Sequence, residues 1–173
     1  NGVKVYLYPE LVPTPMLSHA VRTLHCSSGI ILTASHNPSK DNGYKGYDPN
    51  GYQMTDAAAA KTYSYIQKVD MFDGVKTMDF DEALEKGMIA YIGQELFEGF
   101  YEAVLRAQVN PDAAAGTDLS VIYTPLNGTG NKPVRENLKR IGIRDGTDVP
   151  DHEYPDGNFR TRPSLNPEIR PRI

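Results

Sequence analysis

Two rhythms of apolar and polar positions run along the chain. Val3 to Tyr8 alternates with period two and is rich in β-formers, which predicts a strand. Pro9, Pro13 and Pro15 punctuate the next segment. Thr14 is placed to cap a helix with Pro15 at its first position, and Met16, Leu17, Ala20, Val21 and Leu24 recur at helical spacing. Gly29 to Thr33 is a short apolar run that predicts a buried strand, and a polar loop follows from Ala34 to Gly43. Tyr44 to Asp48 and Tyr52 to Met54 flank Pro49-Asn50-Gly51, a hairpin signal.

Helical spacing then takes over. Thr55 opens a helix through the alanine run Ala57 to Ala60 and on to about Val69. Asp79 with Glu82 has capping-box spacing for a short helix that Gly87 would end. From Gln94 to about Gln108, Leu96, Phe97, Phe100, Tyr101, Val104 and Leu105 fall on one stripe. Asn110 to Gly116 reads as a linker and Leu119 to Tyr123 as a strand. The turn-rich Thr124 to Gly130 precedes a helix through Val134, Leu138 and Ile141. Arg144 to Asp148 is poor strand material, and periodicity fades beyond residue 143. The alternation predicts an α/β fold of mixed β-sheets flanked by helices, divided near residue 115 into parts 1–115 and 116–173.

Composition narrows the function classes. Hydrophobic residues make up 39% and charged residues 23%, enough apolar material for a core. The net charge of −4 and the lack of a Lys/Arg cluster argue against nucleic acid as a partner. Cys26 is the only cysteine, so neither an intrachain disulfide nor a cysteine zinc site forms. No apolar run is long enough to span a membrane and the first residues are no signal peptide, which predicts a cytoplasmic protein. The start without Met suggests an internal piece whose partner is the remainder of a parent chain.

The candidate chemistry lies after the second strand. Ser35 supplies a hydroxyl that can attack phosphorus or carbonyl carbon, while His36 and Lys45 are nearby groups able to handle protons. Asn37-Pro38 and Asn42-Gly43 fix turns, giving the loop a defined shape. Adjacent side chains seldom point toward each other, so a hydrolase dyad of Ser35 and His36 is disfavoured, and no Gly-x-Ser-x-Gly elbow surrounds Ser35. Plainer readings serve elsewhere. Gly128-Thr129-Gly130 reads as a tight turn, and Asp156 and Glu168 as turn-side carboxylates rather than metal ligands. Tyr63, Tyr65, Phe97, Phe100 and Tyr101 read as packing residues, and His25 and Cys26 as a helix end.

The stretch Leu32-Thr33-Ala34-Ser35-His36-Asn37-Pro38-Ser39-Lys40-Asp41-Asn42-Gly43-Tyr44-Lys45 closely resembles the phosphoserine loop of the α-D-phosphohexomutases, the family of phosphoglucomutase and phosphomannomutase. Tyr123 to Gly130 resembles the opening strand and loop of that family's second domain. Pro155 to Phe159, followed by Asn166-Pro167-Glu168, resembles that domain's next loop. The order and spacing of the three blocks agree over nearly the whole chain. The Asp-Asn-Gly-Tyr-Lys wording is closest to bacterial phosphoglucomutases and phosphopentomutase-like enzymes.

The resemblance implies a Mg²⁺-dependent isomerase acting on a small sugar phosphate, most readily glucose 1-phosphate and 6-phosphate. Ser35 would be phosphorylated at rest and would pass its phosphoryl group to the sugar through a sugar 1,6-bisphosphate, which also serves as activator. A phosphoserine oxygen on Ser35 would meet the metal, Lys45 would be the general acid/base, and His36 and Asn37 would orient the phosphate. The family's Asp-x-Asp-x-Asp-Arg metal loop, N-terminal arginine segment, sugar-selecting loop and fourth domain have no counterpart here. The chain alone is therefore expected to lack mutase turnover and a tight Mg²⁺ site. A non-catalytic phosphosugar-binding relic is the alternative, as is a phosphomannomutase or phosphopentomutase parent activity.

Overall fold

The computed structural model describes residues 2–38, 40–114, 116–143, 145–158 and 160–161. Phe159 and the Asn166 to Glu168 block therefore lie outside the described residues.

Strands and helices alternate as an α/β fold requires. In chain order they are β1 (Val5–Leu7), α1 (Thr14–Thr23), β2 (Gly29–Leu32), β3 (Tyr44–Tyr47), α2 (Asp56–Ile66), α3 (Phe80–Glu85), β4 (Ile89–Tyr91), α4 (Gln94–Arg106), β5 (Ser120–Tyr123), α5 (Asn131–Arg140), β6 (Asp145–Asp148) and α6 (Pro150–Glu153). The strands form three pairs. β1 runs parallel to β4 with Val5 opposite Ile89, and β5 parallel to β6 with Ser120 opposite Asp145; β2 and β3 are antiparallel with Leu32 opposite Tyr44. Parallel and antiparallel pairing thus coexist in the fold, each in its own ladder.

Local chemistry explains most of the boundaries. The Thr55 hydroxyl accepts the Ala58 N–H and starts α2, and the Asp79 carboxylate accepts the Asp81 and Glu82 N–H groups and starts α3. Glu82 itself turns to Lys86, so the capping box is one-sided. At α1 the expected cap is displaced by one residue. Pro13 is the N-cap and Thr14 already helical, because two prolines fix the entry and no side chain has to accept an N–H. α1 ends with Cys26 N–H on Val21 O at 2.9 Å and His25 N–H on Arg22 O at 3.3 Å, the paired bonds of a Schellman end, with His25 at φ 51° where glycine is usual.

The core sits between α1 and α4. Met16 and Ala20 pack with Ile92, Leu96, Phe97 and Tyr101, and Tyr8, Val12, Leu24 and Phe100 close around them. Tyr8 meets Phe97 edge-on at 5.5 Å and donates its hydroxyl to Met16 O at 2.9 Å. Arg140 joins α5 to α4 through Glu98 at 2.7 Å, is braced by Glu136 of its own helix at 2.7 Å, and lies over the Tyr101 ring at 4.6 Å.

Three expectations change. β2 is not buried, since Ile30 is 54% and Leu32 65% exposed; α1 covers one face only, where Leu17 and Val21 meet Gly29. Tyr63 and Tyr65 do not pack, because α2 buries none of its residues. Asp145 to Asp148 does form a strand. β5 supplies a parallel backbone ladder that overrides the poor intrinsic preference of Asp and Gly. Among the described residues no helix is long and apolar enough to cross a membrane.

Candidate active site

The loop between β2 and β3 is cinched at its base. The Thr33 N–H donates to Gly43 O at 2.9 Å. A Cβ on Gly43 would lie 2.2 Å from Thr33 O, so only glycine lets the two backbones approach this closely. Two successive turns fill the loop, closed by Asn37 N–H on Ala34 O at 3.1 Å and by Asp41 N–H on Pro38 O at 2.9 Å.

Ser35 is the first central residue of the Ala34 to Asn37 turn and has φ 56°, in the left-handed region that L side chains adopt at a cost. Its N–H donates to the Thr33 hydroxyl oxygen at 3.0 Å, and its side chain stands exposed. Nothing in the residue pattern signals this backbone reversal, which corrects the expectation that Ser35 and His36 face apart. Their Oγ and Nδ1 atoms are 3.2 Å apart. A hydrolase triad still lacks its third member, because among the described residues nothing hydrogen-bonds the other ring nitrogen of His36.

Asn37 contributes its backbone to the turn and leaves its side chain exposed. Lys45 lies on β3 opposite Ile31, half-buried, and lines a cavity of about 320 Å³ with Tyr44, Gln53, Met54, Thr62 and Tyr63. The structure therefore brings Ser35 and His36 into contact and puts Asn37 on the same turn. No hydrogen bond or ion pair joins Lys45 to them among the described residues. The sequence reading named Gly43, with Asn42, as a turn that shapes the loop, but gave Thr33 no role in it. The available signal for Thr33 was a hydroxyl residue two positions before the nucleophile.

The second candidate loop follows β5. Leu126 and Asn127 have φ 52° and 60°, and Gly128 N–H closes the turn on Pro125 O at 2.9 Å. Asn127 is buried and donates to Tyr154 O at 2.9 Å, while its own N–H reaches His152 O at 2.8 Å. These bonds fasten the loop to α6 and agree with the plain reading of a tight turn. Asp156 is likewise a turn residue. It accepts the Arg160 N–H at 3.2 Å and the Asn158 N–H at 3.0 Å, and these bonds hold its carboxyl below the usual range. Among the described residues no three His, Cys, Asp or Glu side chains come together in a metal-binding group.

Two family models match the chain: phosphoglucomutase/phosphomannomutase, alpha/beta/alpha domain I, over residues 1–73, and domain II of the same family over residues 98–172. A phosphoglucomutase of Staphylococcus saprophyticus is 33% identical over 97% of this chain and 30% of its own length. A phosphomannomutase of Mycoplasmoides pirum is 30% identical over 93% of this chain and 29% of its own. A crystal structure described as a phosphomannomutase from Thermus thermophilus superposes with a TM-score of 0.73 at 27% identity, over 92% of this chain and 33% of that one. The chain thus spans less than a third of the length of these curated relatives.

Proposed function

Because the chain belongs to the phosphoglucomutase/phosphomannomutase family, we propose that it carries the phosphoryl-bearing serine of a phospho-sugar mutase, Ser35. The observation that carries this reading is the cinched loop that displays Ser35 with its Oγ against His36 Nδ1 at 3.2 Å. In the proposed cycle a sugar hydroxyl attacks the phosphorus on Ser35. A new O–P bond forms, the bond to Oγ breaks, and the hydroxyl proton leaves to a base. The resulting bisphosphate turns, and its other phosphate returns to Ser35 Oγ. Lys45 is the proposed acid/base, with His36 and Asn37 holding the transferring phosphate, the positioning role that dominates phosphoryl transfer.

The substrate class is a hexose or pentose monophosphate. Glucose is the preferred member within the proposal, and the two curated relatives above are called phosphoglucomutase and phosphomannomutase. The division into parts 1–115 and 116–173 belongs to the same proposal, supported by the exposed turn residues Pro111 to Ala113. Mg²⁺, when bound, would screen the roughly −1.5 to −2 charge of a phosphoserine. Among the described residues no group of three His, Cys, Asp or Glu side chains forms a metal cluster, and the proposal takes the ligands other than the phosphate's oxygens from the rest of the parent protein.

The test is intact-mass analysis and peptide mapping of the complete gene product after incubation with glucose 1,6-bisphosphate and Mg²⁺. One phosphate on Ser35 is expected. Stable label elsewhere, with Ser35→Ala still active, would remove the assignment.

A further inference from the structure

We infer that Thr33 is a positioning residue for phosphoryl transfer, acting through the backbone of Ser35; the inference rests on Ser35 being the phosphoryl carrier. Thr33 stands where the ladder of β2 and β3 ends and ties the loop to it. Its N–H reaches Gly43 O at 2.9 Å, its carbonyl oxygen occupies the space that a side chain on Gly43 would need, and its hydroxyl accepts the Ser35 N–H at 3.0 Å.

Ser35 needs that support. A positive φ at the first central position of a turn is ordinarily filled by glycine, which has no Cβ to clash. A nucleophile cannot be glycine, so the conformation must be held by bonds around it. Among the described residues two backbone N–H groups do this, the Asn37 N–H on Ala34 O at 3.1 Å and the Ser35 N–H on the Thr33 hydroxyl. Without the second, Ser35 relaxes toward negative φ. That rotation redirects its Cα–Cβ bond and carries Oγ away from His36 Nδ1. The hydroxyl also occupies the Ser35 amide, so a phosphate on Oγ is left to His36 and the open side of the loop rather than to the serine's own N–H.

The decisive comparison is Thr33→Val, which keeps the branched shape and loses the hydroxyl, against Thr33→Ser, which keeps the hydroxyl. In this chain, NMR reads the Ser35 amide exchange rate and its three-bond HN–Hα coupling. In the complete gene product, phosphoryl uptake from glucose 1,6-bisphosphate reads the consequence. In T33V the uptake rate at saturating bisphosphate should fall about five- to tenfold, the worth of one ordinary hydrogen bond, with KM little changed. Ser35 amide exchange should accelerate by a similar factor, and T33S should stay within about twofold of wild type on both readouts. If T33V does not fold, T33A takes its place in the same comparison with T33S. Wild-type protein that takes no phosphoryl group on Ser35 would overturn the carrier reading and this inference with it. Normal wild-type uptake, matched by the hydroxyl-free variant, would overturn this inference alone.

Discussion

Replacing Ser35 with glycine should make the chain more stable than replacing it with alanine, the reverse of the usual order. In a helix or strand, Gly is the less stable of the two by about 0.5–1 kcal/mol, because it surrenders more backbone freedom on folding. Ser35 sits at φ 56°, where a side chain costs about 1–2 kcal/mol that glycine avoids. Subtracting the first quantity from the second leaves S35G ahead of S35A by up to about 1.5 kcal/mol, with a middle value of about 0.75 kcal/mol. Both variants lose the contact between Oγ and His36 Nδ1, so that exposed hydrogen bond cancels from the comparison. The assay is urea unfolding of the two variants side by side. With a slope of about 1–3 kcal/mol/M, the glycine midpoint should stand higher by a few tenths of a molar at unchanged slope. An alanine midpoint equal to or above the glycine one would show that position 35 is unstrained, and the argument for a held nucleophile would lose its basis.

Gly43→Ala places a Cβ against Thr33 O and should break the Thr33 to Gly43 bond; faster exchange of the Thr33 amide checks this, and unchanged protection refutes it. In the complete gene product, Lys45→Met should cut turnover by about 10²–10⁴ while the circular dichroism stays native. Turnover near wild type across the pH range would demote Lys45 to structure. Burial pushes the Tyr8 hydroxyl up to about 12, above its ordinary value of 10.0. The neutral phenol is thus favoured on folding, and its stabilisation is whole below pH 10 and lost between about 10 and 12. Tyr8→Phe should lessen the loss of stability over that window, as read by denaturation at stepped pH, and an unaltered alkaline profile would count against it.

The parts of the fold legible in the sequence are those whose cause is local. Thr55 and Asp79 cap their helices as read, and the apolar stripe of α4 supplies Leu96, Phe97 and Tyr101 to the core. What escaped reading depends on distant partners or on a single dihedral angle. β6 is held by backbone bonds to β5, and no side-chain pattern in Asp145 to Asp148 announces that. The exposure of Tyr63 and Tyr65 follows from what does not cover α2, which periodicity cannot report. The loop itself was recognisable from its wording, Thr33 to Lys45. The left-handed Ser35 that turns its hydroxyl toward His36 was not, since serine carries no compositional mark of positive φ.

The pairing of strands also sets an order of events as the chain folds. β2 and β3 meet across a loop of only a few turns, a local contact with little entropy of closure, whereas β1 must wait for β4, with Val5 finding Ile89 across half the chain. On a ribosome, the loop that bears Ser35 can therefore take shape once the residues through Tyr47 have emerged. The apolar face of α1, with Met16 and Ala20, stays uncovered until α4 has been made. The interval between those two moments is when the nascent chain presents sticky surface, and slow translation or a chaperone acting there would govern the yield of folded protein more than any event at the loop.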